Sequence, residues 1–207
     1  MILLRHGQSQ FNAAFTQARR DPGIVDAPLT GLGHDQAQTA AQALAEHRIG
    51  RIIASPYTRA LQTAAPIARR LGLPVEVSPL IRERFKFACD IGTPRSALAE
   101  AWPRHDFAAV DELWWPHREE GAEAVIARAA CFRAAMAALD DHAETLVISH
   151  WGFILAMTGD SVMNGEWLHC DPTDPPPETV IWQVRPRTIP APAPPTPIPP
   201  ATASGRL

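Results

Sequence analysis

Residues 3–9 read LLRHGQS, two residues into a chain of 207. The apolar run that starts at Ile2 ends on a cation, an imidazole and a glycine, Arg5-His6-Gly7. A core strand gains nothing from that ending, whereas a site that grips and attacks an anion does. Guanidinium offers a planar fork matched to phosphate oxygens, and glycine lets the backbone turn tightly and a ligand come close. The ending recurs at 146–152, LVISHWG, where a second buried strand stops on His150 with Gly152 two positions on.

Between these stretches, short β-type runs alternate with helical ones. Residues 9–20 read as a helix stopped by Asp21-Pro22-Gly23, and Thr30 is a candidate N-cap for the Ala/Gln/Leu-rich helix behind it. Residues 51–55 form a second strand, 58–71 a helix, 74–77 a third strand, and 179–184 a fifth after the one at 146–150. Strands separated by helices predict an α/β protein, a three-layer α/β/α sandwich on a mostly parallel sheet. In such sheets ligands bind beyond the carboxyl ends of the strands. The roughly 65 residues between the third and fourth strands exceed a simple crossover. They predict a helical cap insertion over about 84–144 within a domain spanning 1–185. From Asp171 onward prolines crowd the chain, and 186–207 reads as an extended, flexible tail, with a proline-rich ligand for a partner domain as the alternative.

Composition sets the outer bounds. An apolar fraction of 46% and a charged fraction of 20% suit a soluble globular chain. A net charge of −3 with no basic stretch argues against nucleic acid. No apolar run approaches the roughly 18 residues of a membrane span, and the N-terminus lacks the pattern of a signal peptide. Three cysteines, Cys89, Cys131 and Cys170, with no CxxC pair predict a reduced, cytoplasmic protein without disulfides or a cysteine-built zinc site. The oligomeric state is unreadable.

Four strand ends then converge: His6 after the first strand, 55–59 after the second, Glu83 after the third, His150 after the fourth. Arg5 and Arg59 supply two guanidinium forks, and a helix starting near Pro56 aims its amides at an anion. His34, His47, His105, His117 and His142 read as ordinary structural or surface residues; His169 beside Cys170 lacks further ligands at metal spacing. Residue spacing alone supports an anion pocket with two histidines, and no metal or other cofactor is called for.

These stretches together resemble the histidine phosphatase superfamily, which includes the cofactor-dependent phosphoglycerate mutases. LLRHGQSQFN carries its Arg-His-Gly signature with the downstream Asn12, and DAPLTGLGHDQA matches its second segment through Asp26, Pro28, Leu29, Thr30, Gly33, Gln36 and Ala37. ASPYTRALQTA places the second arginine at Arg59, and LVISHWGF the second histidine at His150. The four motifs stand in the expected order over residues 1 to about 158. Two departures stand out: Trp151 replaces a glycine, where a bulky indole narrows or repositions the pocket, and the acidic motif is loose in LIRERFKFACD, where Glu83 matches best. A surface salt bridge with Arg82 or Arg84 is the competing reading of Glu83, and Asp90 is then its substitute.

The resemblance implies hydrolysis of a small phosphomonoester through a covalent phosphohistidine. His6 is the nucleophile, Arg5, Arg59, His150 and Asn12 hold the phosphate, and Glu83 is proton donor and acceptor. Ser9, Gln62 and Trp151 are candidate substrate contacts. A phosphoglycerate mutase-type transfer is the alternative. It is disfavoured because the mutases carry a larger insertion and Glu-Arg-x-Tyr-Gly at the acid, where this chain has Glu83-Arg84-Phe85-Lys86-Phe87. A third reading, a weakly active binding protein working through its tail, is opposed by the presence of all four pocket residues. Trp102, Trp114 and Trp115 read as core of the cap rather than as a substrate surface.

Overall fold

The computed structural model describes residues 1–182. Five strands form one sheet: β1 (Ile2–Arg5), β2 (Arg51–Ala54), β3 (Val75–Val77), β4 (Thr145–Ser149) and β5 (Trp167–His169), ordered β3-β2-β4-β1-β5. β1, β2, β3 and β4 run parallel. The helices are α1 (Gln10–Ala18), α2 (Gly31–Leu44), α3 (Thr58–Leu71), α4 (Arg95–Ala101), α5 (Ala122–Ala137) and α6 (Trp151–Thr158).

The period-2 alternation of the strands splits the core into two layers. Ile2, Leu4, Ile52, Ala54, Leu146 and Ile148 face α2 and α3, meeting Ala40, Leu44, Leu61 and Ile67. Leu3, Ile53 and Val147 face α5 and α6, meeting Val125, Phe132, Phe153 and Met157. This is the predicted sandwich, and the helix at 58–71 has the predicted bounds. Local chemistry sets several helix ends. Ser9 and Asn12 form a reciprocal capping box on α1, and Thr30 accepts from the Gly33 amide at the start of α2. Gly72, at φ 69°, closes α3 in the left-handed region.

The sequence expectation differs from the structure in two places. The fifth strand is Trp167–His169, antiparallel to β1 through Ile2–His169, Leu3–Leu168 and Leu4–Trp167 pairs, and 179–182 forms no strand. Residues 183–184 of the expected strand lie outside the described residues, as does the expected tail at 186–207. Three half-exposed residues carry too little alternation to be read, while Thr179-Val180-Ile181-Trp182 looks β-rich yet follows Pro175-Pro176-Pro177 and finds no strand to pair with. Second, α5 falls within the stretch expected as cap, yet its buried face completes the second layer of the sandwich. The segment around α4 forms a small lobe instead, with Leu98, Phe107, Val110 and Trp114 packed toward Tyr57 and Trp102 and Trp115 half-buried against them. Trp114 is thus a core residue, as its size suggested, while Trp102 and Trp115 pack partly buried against that core.

Candidate active site

The carboxyl ends of β1, β2 and β4 assemble the site. The His6 amide donates to Ser149 O (3.0 Å) and the Ser55 amide to Ile148 O (3.0 Å), so three strand ends are stitched together just where they finish. That stitching brings the rings of His6 and His150 to 5.0 Å between centroids. The loop carrying His6 is held from several directions. The Gly7 amide donates to Thr63 Oγ1 (3.1 Å), and the Asn164 amide group donates to His6 O (3.1 Å) and Asn12 Oδ1 (3.1 Å). A Cβ on Gly7 would collide with the backbone of Gly33, which requires a glycine at this turn.

His6 is 3% exposed, and its Nδ1 lies 2.6 Å from Gly7 O. A carbonyl only accepts, so Nδ1 carries the proton and Nε2 keeps its lone pair. Burial, then the charges of Arg59 and Arg5, holds the His6 imidazole well below its ordinary pKa; burial followed by Arg59 and His6 does the same for His150. Both rings are therefore neutral near pH 7. His150 Nε2 pairs with Ser55 Oγ at 2.8 Å, and its Nδ1 is buried with no partner among the described residues.

Arg59 is buried at the start of α3, where it stacks on the Tyr57 ring at 4.2 Å and donates to Cys89 O (2.8 Å) and Asp90 Oδ1 (3.2 Å). The other Asp90 oxygen accepts from the Lys86 and Phe87 amides, both at 3.0 Å. Asp90, the substitute acid, is thus committed to anchoring Arg59. α3 lacks a side-chain cap from Tyr57, and Asp26 supplies it from a distance by accepting the Thr58 amide (3.0 Å) and hydroxyl (2.6 Å). Arg5 donates to Val162 O (2.9 Å), leaving its buried Nε unpartnered; burial lowers its pKa to about 10, with Glu83 opposing that shift and Arg59 adding to it. It remains a cation at any physiological pH.

Glu83 forms no salt bridge with Arg82 or Arg84, against the competing sequence reading. Arg82 pairs with Glu120 (2.8 Å), and Arg84 reaches Glu119 at 3.9 Å. Glu83 Oε1 accepts instead from the Arg84 amide (2.8 Å) and from Gly152, in the first turn of α6 (2.9 Å). α6 has no side-chain cap from His150, so Glu83 serves as its distant cap. A Cβ at 152 would collide with the Glu83 carboxylate, so a larger residue there would push the acid out of place. Burial, reinforced by Asp90, raises the Glu83 pKa, and the Arg84 amide, Arg59 and Arg5 hold it back. With Oε1 committed to two amides, a proton on this carboxyl resides on Oε2.

The remaining candidates carry structural duties. The Ser9 hydroxyl caps α1 and donates to Asn12 Oδ1 (2.9 Å). Asn12 spends its oxygen on Ser9 and Asn164, which leaves its NH2 for a ligand. Gln62 Oε1 accepts the Leu29 amide (2.8 Å). The Trp151 indole N–H donates to Ser161 (2.8 Å), and its ring meets Trp182 edge-on at 6.4 Å. Residue reasoning missed the roles of Ser55, Thr63 and Asn164. Thr63 was signalled by standing one helical turn after Arg59; Asn164 had no sequence signal. Among the described residues no three His, Cys, Asp or Glu side chains gather as metal ligands, and no helix is long and apolar enough to cross a membrane.

Two neutral imidazoles, one with its Nε2 lone pair free, share the site with the buried Arg59, the half-buried Arg5 and a carboxyl whose pKa burial raises. That arrangement can bind a phosphate ester, attack it and protonate its leaving group. A glucosyl-3-phosphoglycerate phosphatase of Mycobacterium tuberculosis is 28% identical over 174 residues, covering 76% of this chain and 73% of that protein. The match to the Mycolicibacterium vanbaalenii enzyme of the same name is 39% identical but spans only 35% of that protein. A Proteus mirabilis protein named probable phosphoglycerate mutase is 30% identical over 72% of this chain and 68% of its own length. Among solved structures, a mycobacterial glucosyl-3-phosphoglycerate phosphatase superposes with a TM-score of 0.53 at 28% identity, covering 76% of each chain. Residues 1–171 match the family pattern as a whole, and the chain belongs to the histidine phosphatase superfamily, branch 1.

Proposed function

We propose that this protein hydrolyses small phosphomonoesters through a phosphohistidine formed on His6, without a metal. The observation that carries the reading is the Nδ1–Gly7 O hydrogen bond, which presents a neutral Nε2 to the pocket of Arg5, Arg59 and His150. In the first step Nε2 attacks phosphorus in line, the P–O bond to the leaving group breaks, and Glu83 Oε2 gives its proton to the departing alkoxide. In the second step Glu83, now ionised, takes a proton from water as that water displaces phosphate from His6, and the enzyme is restored. Arg5 and Arg59 match the charge spread over the equatorial oxygens. Their geometry is fixed before substrate arrives, so no reorganisation is required during the reaction. His150 and the Asn12 NH2 complete the phosphate cradle.

The named relatives suggest phosphorylated glycerate and sugar derivatives as first substrates to try. The test is release of inorganic phosphate over a panel of phosphomonoesters that includes glucosyl-3-phosphoglycerate and 3-phosphoglycerate. Stoichiometric phosphate release with at least one ester supports a phosphatase. Isomerisation of 3-phosphoglycerate stimulated by 2,3-bisphosphoglycerate, with little phosphate released, reverses the reading to a mutase.

A further inference from the structure

We infer that Glu120 and Arg128 are positioning residues for the acid: together they clasp the backbone that carries Glu83 and thereby set where its proton is delivered. The inference rests on the reading of Glu83 as proton donor. Residues 78–90 contain only two short 3-10 turns, so most of their carbonyls and amides have no regular-structure partner. One guanidinium takes up several of them. Arg128, on the buried face of α5, donates from Nη1 to Leu80 O (2.7 Å) and Arg82 O (3.0 Å), and from Nη2 to Glu83 O (3.4 Å).

Glu120 locks that guanidinium in place. Its carboxylate accepts from Arg128 Nε (3.1 Å) and Nη2 (2.8 Å), from Arg82 Nη2 (2.8 Å) and from the Phe85 amide (3.4 Å). The Glu120 backbone joins in, donating to Phe85 O (2.9 Å) and accepting from Arg84 Nε (2.8 Å). The segment is thus gripped on both sides of Glu83, and Ser149 Oγ holds Ile81 O (2.7 Å) from β4. Glu120 and Arg128 are 8% exposed, and a buried pair is retained at a desolvation cost that apolar packing would avoid. Here the return is geometric. Lysine would keep the charge but has no planar fork to reach Glu120 and three carbonyls at once.

The experiment compares p-nitrophenyl phosphate, whose leaving group departs without help, with an alkyl phosphate, whose leaving group needs a proton. Full-length wild type, Arg128→Lys, Glu120→Gln and Glu83→Gln are assayed, with circular dichroism to verify the fold. A displaced acid should lower kcat/KM, which reports the steps up to departure of the leaving group, by about 10- to 100-fold for the alkyl ester in Arg128→Lys and Glu120→Gln, and by less than roughly 3-fold for p-nitrophenyl phosphate. In the Glu83→Gln background, Arg128→Lys should add no further loss that depends on the leaving group. Equal losses of kcat/KM on both esters in a folded variant, or losses that add to Glu83→Gln, overturn the inference. Arg128→Lys keeps a cation beside Glu120, and if it unfolds, Glu120→Gln carries the same comparison. A Glu83→Gln enzyme that spares the alkyl ester removes the acid reading and this one together. Selective loss in Glu83→Gln but not in the two clasp variants removes this one alone.

Discussion

The two halves of the site are built differently. The phosphate half is made of residues that sit on strand ends or within a turn of them: Arg5 at the end of β1 and His6 just past it, Ser55 and Arg59 around the start of α3, His150 after β4. Its geometry follows from strand register and a few short backbone bonds. The leaving-group half is made of Glu83 on a segment with almost no regular structure, fixed by α6 in front and by Glu120 and Arg128 behind. On the proposed mechanism the first half binds and attacks any phosphate ester, and the second decides how well a difficult leaving group departs. The contrast predicts that damage to the first half should be indifferent to the leaving group and damage to the second should depend on it.

The largest effect is expected at His6. Replacing it with alanine should cost about 10⁴-fold or more in kcat on every ester, because the proposed mechanism draws its nucleophile from this ring. Arg59→Met should cost roughly 10²–10³-fold, again on activated and unactivated esters alike, since it removes charge opposite the transferring oxygens. Asp90→Asn keeps the shape but loosens the Arg59 anchor, and a displaced guanidinium should cost up to about 10²-fold with the same indifference to leaving group. A strong leaving-group dependence in any of these three would break the division between the halves. Steady-state kinetics on p-nitrophenyl and alkyl phosphates reads all of them.

The smallest effect concerns stability. His6 and His150 are held below their ordinary pKa, so the unfolded chain binds more protons than the folded one once pH falls below about 6.5. Their contribution to stability is full above that value and is lost progressively as pH drops toward their folded pKa values. The melting temperature should therefore fall between pH 7.5 and 5.5, and the fall should shrink in a His6→Asn variant. An unchanged slope would mean that the phosphate half does not force its imidazoles to stay neutral.

The same division governs what was legible in the sequence. The phosphate half could be read because each of its residues punctuates an apolar run, and a strand that ends on Arg-His-Gly has no structural reason to do so. Glu83 could be matched only through resemblance. Asp90 was a fair rival by residue type, and only its bonds to Arg59 and two amides show that it is occupied. Glu120 and Arg128 left no local mark, since one arginine in an alanine-rich helix looks like a solvated face until the helix is seen to lie on the sheet. β5 was misplaced for the same reason: three residues pair with β1 because of where the chain returns after α6, which no three-residue pattern encodes. Local punctuation is readable; partners 35 to 70 residues apart, such as Glu83 with Gly152 or Arg82 with Glu120, are not.

If phosphate passes through His6, the phosphoenzyme can be trapped. The wild-type enzyme is mixed with an ester labelled in the phosphoryl group and quenched in alkali within milliseconds. The account predicts protein-bound label that survives alkali, is lost in acid, maps to the peptide containing His6 and is absent from His6→Ala. Label on another residue, or undiminished hydrolysis by His6→Ala, would contradict it.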